Sequence, residues 1–385
     1  MKISAKFRLQ ILTAAGVFIV LLAAAALVSW QKNGGYSRTE IISPKSSAED
    51  KPVSVTRTDD GWWESRRMIY YDIPARIRYY LPEASKPAAK DVAKKGWDEF
   101  ARIGRVFNPS DPDSETGRLN AADKTDPVTV SEDLFCVLEI SERLWKASNG
   151  AFDPTMSPVK NLWEQAVKAQ EIPGDRRIQS VLARTGFAHV SLKPEQNALV
   201  CEKKNLTFDF GGIAKGFAVD RVRDILKDAG IRAGLVQLGG EIAAFGNNGS
   251  NPWRIGIQHP ADMQRIWGVV SGRGATRVST SGNYRQPLII QGHAFYHIFS
   301  PKTGKPVSEK VLGVTTASFG QRENNALLDA AATAITVLGA KKGLELAEKL
   351  HIQALVLTRG AKGEIREQST PGFSDHYTPE SSPDA

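Results

Sequence analysis

Asp209-Phe-Gly-Gly-Ile-Ala-Lys-Gly216 brings a carboxylate, paired glycines and a lysine into one short stretch. Around it, residues 206–220 read as a short aromatic and β-branched strand, a double-glycine turn, and a helix running to about Gly230. Glycines let a backbone come close to a ligand, and the free N–H groups at a helix start present partial positive charge. With Lys215 early in the helix, the combination suits a phosphate. The spacing matches neither G-x-x-x-x-G-K-[ST] nor G-x-G-x-x-G, which excludes a P-loop and a dinucleotide Rossmann motif. Taken alone, such a junction is more often a plain tight turn, so its neighbours decide.

Asp329 and Thr333 stand four apart in Asp329-Ala-Ala-Ala-Thr333, on one face of an alanine-rich helix. Carboxylate and hydroxyl are hard oxygen donors of the kind magnesium takes together with water and substrate phosphate. The ordinary reading is a helix aspartate beside a threonine bonded back to a carbonyl. His297 has two readings as well. Imidazole titrates near neutrality and could accept a hydroxyl proton, or it could bond a loop carbonyl in the Pro-Lys-Thr-Gly turn that follows.

Elements must hold these groups. The chain has 385 residues, 41% hydrophobic and 24% charged, the composition of one large globular domain or two smaller ones. A net charge of +8 favours acidic partners such as phosphates, anionic lipid or nucleic acid. Lys and Arg are scattered without an aromatic-interleaved patch, which argues against specific nucleic-acid recognition. Cys136 and Cys201 form no C-x-x-C or Cys/His metal spacing, and a disulfide and two buried thiols both stay open.

Lys2, Lys6 and Arg8 precede an uncharged apolar run from Ile11 to Trp30, close to the length that crosses a bilayer. Residues 1–30 therefore read as a signal anchor or a cleaved signal, with the rest outside the cytoplasm. Residues 31–61, rich in Gly, Ser, Pro and charge, read as a flexible linker, and 368–385 as a disordered tail. Between them, 62–367 form one domain. Ala75–Leu81 alternates like a strand, and Lys86–Ile103 and Ser131–Ser148 have helical spacing, the latter capped by Ser131 and stopped at Asn149-Gly150. A shorter helix is expected from Ser180 and Leu182 to His189. Short strands follow in 235–245, 253–258, 267–270, 287–291 and 313–317, then helices at 325–338 and 341–350 and a strand at 354–358. Helices first, then antiparallel-looking strands interrupted by helices, argue an α+β fold.

In order, the chain presents Pro109-Ser-Asp-Pro-Asp-Ser-Glu-Thr-Gly-Arg-Leu-Asn120, Gly150-Ala-Phe-Asp-Pro-Thr-Met-Ser-Pro158, Asp209–Gly216, Leu238-Gly-Gly-Glu241, Ser279-Thr-Ser-Gly-Asn-Tyr284, His297-Ile-Phe-Ser-Pro-Lys-Thr-Gly-Lys-Pro306 and Asp329–Thr333. Over roughly residues 73–357 this series resembles the ApbE family, the FAD:protein FMN transferases. The resemblance implies a T-fold-related α+β catalytic domain. It also implies a magnesium enzyme that cleaves the diphosphate of FAD, transfers FMN to a threonine of a partner protein and releases AMP. The partners it implies are extracytoplasmic subunits of membrane redox complexes, reached from the bacterial inner membrane.

Carried over by position, the resemblance assigns the metal to Asp329 and Thr333 with backbone oxygens near Gly212 and Ala332. It assigns the flavin dinucleotide to Ala151, Phe152, Asp153, Asp209, Lys215 and Ile298. Thr280, Ser281 and Gly282 read as a turn that could bring backbone donors to that ligand, and Phe107 as a ring that could stack on it, although a core phenylalanine is the commoner outcome. His297 or a metal-held group would accept the acceptor's proton, while Glu241 fills an acidic slot that is otherwise a surface carboxylate. The chain departs from the family pattern in lacking Met-Gly-Thr near Tyr71–Ala75. It also has Ser300 where an aspartate is usual and Asn283 after Thr-Ser-Gly. An Mg-dependent FAD pyrophosphatase and a non-enzymatic flavin-binding assembly protein are the alternatives.

Overall fold

Antiparallel pairing organises this chain. A computed structural model describes residues 52–380, apart from 71–72, 283–286, 309 and 321–322. Its strands are β1 (Thr56–Arg57), β2 (Trp63–Ile69), β3 (Ile73–Tyr79), β4 (Val128–Thr129), β5 (Val190–Lys193), β6 (Ala198–Cys201), β7 (Gly234–Leu238), β8 (Glu241–Phe245), β9 (Trp253–His259), β10 (Asp262–Gly272), β11 (Thr276–Gly282), β12 (Leu288–Ile290), β13 (His293–Phe295), β14 (Val311–Phe319), β15 (Gln353–Arg359), β16 (Ile365–Ser369) and β17 (Tyr377–Pro379). The helices are α1 (Lys86–Phe107), α2 (Glu115–Ala121), α3 (Glu132–Ala147), α4 (Ser157–Ala169), α5 (Asp175–Leu182), α6 (Ala214–Asp228), α7 (Asn325–Leu338) and α8 (Ala340–Lys349). The main sheet runs β1-β2-β3-β7-β8-β11-β14-β15-β16.

Both faces of this sheet are covered, and β15 shows how. Ala354 and Val356 join the core built by α1, α3, α6 and α7, while Leu355 and Leu357 pack with Ile255, Ile257 and Val270 of the β17-β10-β9 sheet. That is the period-two alternation of a strand buried on both sides. A third cluster joins Leu162 and Trp163 of α4 and Ile178 of α5 to Ile290 and Phe299 beside the β12–β13 hairpin. The α+β expectation agrees with this architecture.

Four expectations need correction. Residues 206–210 form no strand. Their aromatic content reflects burial, with Phe208 and Phe210 fully buried and stacked at 5.7 Å. The Asn120 amide replaces a neighbouring strand by donating to Phe208 O at 2.9 Å and accepting from Phe208 N at 2.7 Å. The short helix lies earlier than expected, at α5. Gly186, at φ +128°, breaks the chain before a single helical turn at Phe187–His189.

Thr280–Gly282 is the end of β11, paired with β14, and not a turn. Both linker and tail are shorter than their composition suggests. Val55 is buried and β1 pairs with β2. At the other end Phe373 is fully buried and Tyr377–Pro379 pair with Gly268–Val270. The apolar run at residues 11–30 lies outside the described residues. Among those described, no helix is long and apolar enough to cross a membrane.

Candidate functional site

The centre of the site is the crossing of α6 and α7. Helix α7 begins at Asn324, whose side chain accepts from Leu327 N at 2.9 Å, and stops at Gly339, φ +76°. Helix α6 has no side-chain cap from its own N-terminal residue. Its exposed-donor problem is solved from the other helix, because Asp329 Oδ2 accepts from Gly216 N at 3.0 Å. A side chain at 216 would put Cβ 2.1 Å from Asn325 O and 2.8 Å from Asp329 Cβ. Glycine is what lets the two backbones touch.

This crossing brings the two sequence-predicted groups together. The Lys215 ammonium lies 3.3 Å from each Asp329 carboxylate oxygen, 3.1 Å from Gly211 O and 3.5 Å from Glu241 Oε1. It is therefore no solvated helix-start lysine. One ammonium cannot neutralise two buried carboxylates. Burial raises the Glu241 carboxyl to about 8 against the pull of Lys215, so Glu241 holds its own proton near neutrality. Burial opposes the charge on Lys215, but Asp329 and Glu241 outweigh it and hold its pKa well above the usual lysine value. Glu241 Oε2 is buried and has no hydrogen-bond partner among the described residues.

The glycine bend is braced from α4. Lys160 Nζ meets Asp209 Oδ2 at 2.6 Å, and Asp209 Oδ1 accepts from Gly211 N at 2.8 Å. Burial raises the Asp209 carboxyl, but Lys160, the Gly211 N–H and Lys215 more than reverse this and bring it below its ordinary value. Gly212 faces α7, since a Cβ there would sit 3.3 Å from Thr333 Oγ1 and 3.5 Å from Phe152 Cε2. Among the described residues the Thr333 hydroxyl has only a long bond of 3.4 Å back to Asp329 O.

Other predicted residues find different partners. Phe107 is buried with its ring edge-on to Phe210 and Phe217, the packing of a core phenylalanine. Asp153 accepts from Thr155 N, Thr155 Oγ1 and Phe187 N. These bonds organise its own loop, while burial raises its pKa. Ala332 is mid-helix, and its carbonyl accepts from Thr336 Oγ1 at 2.8 Å. Ala151 is buried beside Phe152.

Thr280 N donates to Gly240 O at 3.2 Å, beside the turn that delivers Glu241, and its hydroxyl shares a hydrogen bond with Thr315. Ser281 and Gly282 continue β11. His297 is exposed, whereas Ile298 and Phe299 after it are buried. Helix α4 connects that segment with the bend, since Trp163 lies 6.1 Å from Phe299 and donates to Gly304 O at 2.9 Å. Lys160 and the burial of Glu241 were missed from sequence. The only signal for Glu241 was its place after Leu238-Gly-Gly.

The donor set fits a hard cation. Asp329 offers a carboxylate, Thr333 a hydroxyl one turn on, and Glu241 a buried oxygen without a partner among the described residues. Among the described residues no three His, Cys, Asp or Glu side chains cluster as a complete metal cage. A cation here would complete its shell with water, and with phosphate when a ligand is bound, the habit of magnesium.

The sequence model of the ApbE family matches residues 71–356. The FAD:protein FMN transferase of Vibrio cholerae serotype O1 is 33% identical over 68% of this chain and 77% of its own. That of Escherichia coli K12 is 29% identical over 73% and 81%. Two solved structures superpose well. Flavin transferase ApbE from Vibrio cholerae has a TM-score of 0.68 at 27% identity, covering 81% of this chain and 99% of its own. The Pseudomonas stutzeri flavinyl transferase ApbE, apo form, has 0.70 at 27% identity, covering 84% and 97%.

Proposed function

The chain belongs to the ApbE family, and from that membership we propose that it transfers FMN from FAD to a threonine hydroxyl of a partner protein and releases AMP. The observation carrying this reading is the meeting of the Gly211-Gly212 bend with Asp329 and Thr333, with Lys215 between them. Magnesium is the proposed metal, held by Asp329 and Thr333 with the Gly212 carbonyl. Bound there, it would neutralise diphosphate charge.

The threonine oxygen forms a bond to the FMN phosphorus while the bond from that phosphorus to the bridging oxygen breaks. AMP leaves with the bridging oxygen. Positioning and charge carry such phosphoryl transfer, with little covalent help from protein groups. Lys215 supplies positive charge to the diphosphate, and the N–H groups opening α6 add theirs. Lys160 and Asp209 fix the bend. His297 is the proposed acceptor of the threonine proton. Phe152, Thr280, Ser281, Gly282 and Ile298 are proposed to border the flavin dinucleotide.

The charged start and apolar run of residues 1–30 support an inner-membrane anchor, with residues 62–367 as the catalytic domain on the extracytoplasmic side. Its acceptors would then be subunits of membrane redox complexes. The test incubates the full-length protein with FAD, MgCl2 and a candidate acceptor subunit. Acceptor fluorescence that survives denaturation, together with AMP, is expected. AMP with free FMN and no attachment would instead establish a pyrophosphatase, and unchanged FAD a binding protein.

A further inference from the structure

Asp220 lies inside α6, a full turn beyond Gly216, and its carboxylate is buried. Its Oδ2 accepts from the N–H of Asn325, the first residue of α7, at 2.5 Å. Its Oδ1 accepts from Arg223 Nη1 at 2.5 Å and from Asn325 Nδ2 at 3.4 Å, and faces Arg277 Nε at 3.6 Å. In return, Asp329 of α7 accepts from Gly216 N of α6. Each helix thus satisfies a free N–H at the start of the other with an internal aspartate. Such donors must find acceptors when buried, and here the acceptors also lock the two helices along their axes. Arg277 extends the lock to β11, three residues before Thr280. One carboxylate therefore joins the three elements that carry Lys215, Asp329 and Thr280.

We propose that Asp220 is a positioning residue for the metal end of the site, fixing where Asp329 and Thr333 stand relative to Lys215 and Gly212. This rests on the reading that a divalent cation binds at Asp329 and Thr333. Asp220 itself touches neither. Without its charge, the buried guanidinium groups of Arg223 and Arg277 lose their shared counter-ion. The first turn of α7 then loses its anchor one turn before Asp329.

Mn2+ titration of the full-length protein without FAD, read by the electron paramagnetic resonance of free Mn2+, tests this alongside thermal unfolding. Asp220→Ala is expected to weaken Mn2+ affinity per folded molecule by about tenfold, the usual scale for residues that orient metal ligands. Asp220→Asn keeps an acceptor for the Asn325 N–H and should fall between Asp220→Ala and wild type. Asp224→Asn removes a carboxylate that hydrogen-bonds Arg223 on its exposed side and should leave affinity unchanged. An Asp220→Ala protein with lowered melting temperature but wild-type affinity would overturn the proposal. Should that variant not fold, Asp220→Asn at wild-type affinity does the same. Absence of Mn2+ uptake by the wild type would instead remove the metal reading, and this proposal with it.

Discussion

Gly216→Ala is the sharpest mechanical probe of the α6–α7 crossing. The added methyl would start 2.1 Å from Asn325 O and 2.6 Å from the carbonyl carbon. Ordinary contact lies beyond about 3.4 Å, so the helices would have to part by roughly 1 Å. The obstacle is backbone, and no rotamer change relieves it. Overpacking of this kind costs about 3 kcal/mol, and the better helix propensity of alanine returns about 1, leaving a net loss near 2 kcal/mol. Parting the helices also separates Lys215 from Asp329, and a misplacement of that size lowers turnover about a hundredfold. Urea unfolding followed by circular dichroism reads the first effect, and AMP release from FAD the second. Gly174→Ala, at a position with nothing near its would-be Cβ, should change stability by less than about 0.5 kcal/mol. A Gly216→Ala protein with the wild-type urea midpoint and full turnover would refute the close crossing.

Two further variants separate fold from chemistry. Gly212→Ala points its methyl at Thr333 Oγ1 and Phe152, 3.3 and 3.5 Å away. It should cost less than about 1 kcal/mol of stability yet weaken Mn2+ binding, and unchanged Mn2+ affinity would count against Gly212 as the corner of the cation site. Glu241→Gln tests a titration. In the metal-free protein burial raises Glu241 from 4.5 to about 8, so the folded chain keeps a proton that the unfolded chain has released. That advantage is full below about pH 4.5 and fades as pH rises to about 8, at about 1.4 kcal/mol per pH unit. With a chelator present, Glu241→Gln should flatten the fall in stability across that window, and identical pH profiles would refute the assignment.

What could be read from the chain alone was what is local. The Asp209–Lys215 bend and the Asp329–Thr333 spacing are each held within a few residues, so their chemistry is visible before folding. Glu241, Lys160 and Asp220 acquire their roles from partners far along the chain, Lys160 from Asp209 and Asp220 from Asn325 and Arg277. No local pattern announces such pairs. Aromatic residues at 206–210 signalled burial correctly but not the absence of a ladder, because a single asparagine amide supplies the missing bonds. The tail was obscured by its polar composition, where one buried phenylalanine and a three-residue strand suffice to dock it. The partners that Phe107 and Asp153 find inside the fold, Phe210 and Phe217 for one and Thr155 and Phe187 for the other, were equally invisible in the local pattern.

The most direct measurement of the central claim is covalent flavin on an acceptor subunit, read as in-gel fluorescence after denaturation, for wild type and Asp329→Ala with FAD and MgCl2. The account predicts a fluorescent acceptor and stoichiometric AMP with the wild type, and neither with Asp329→Ala or with a chelator. An acceptor labelled equally well by Asp329→Ala, or in the chelator's presence, would contradict it.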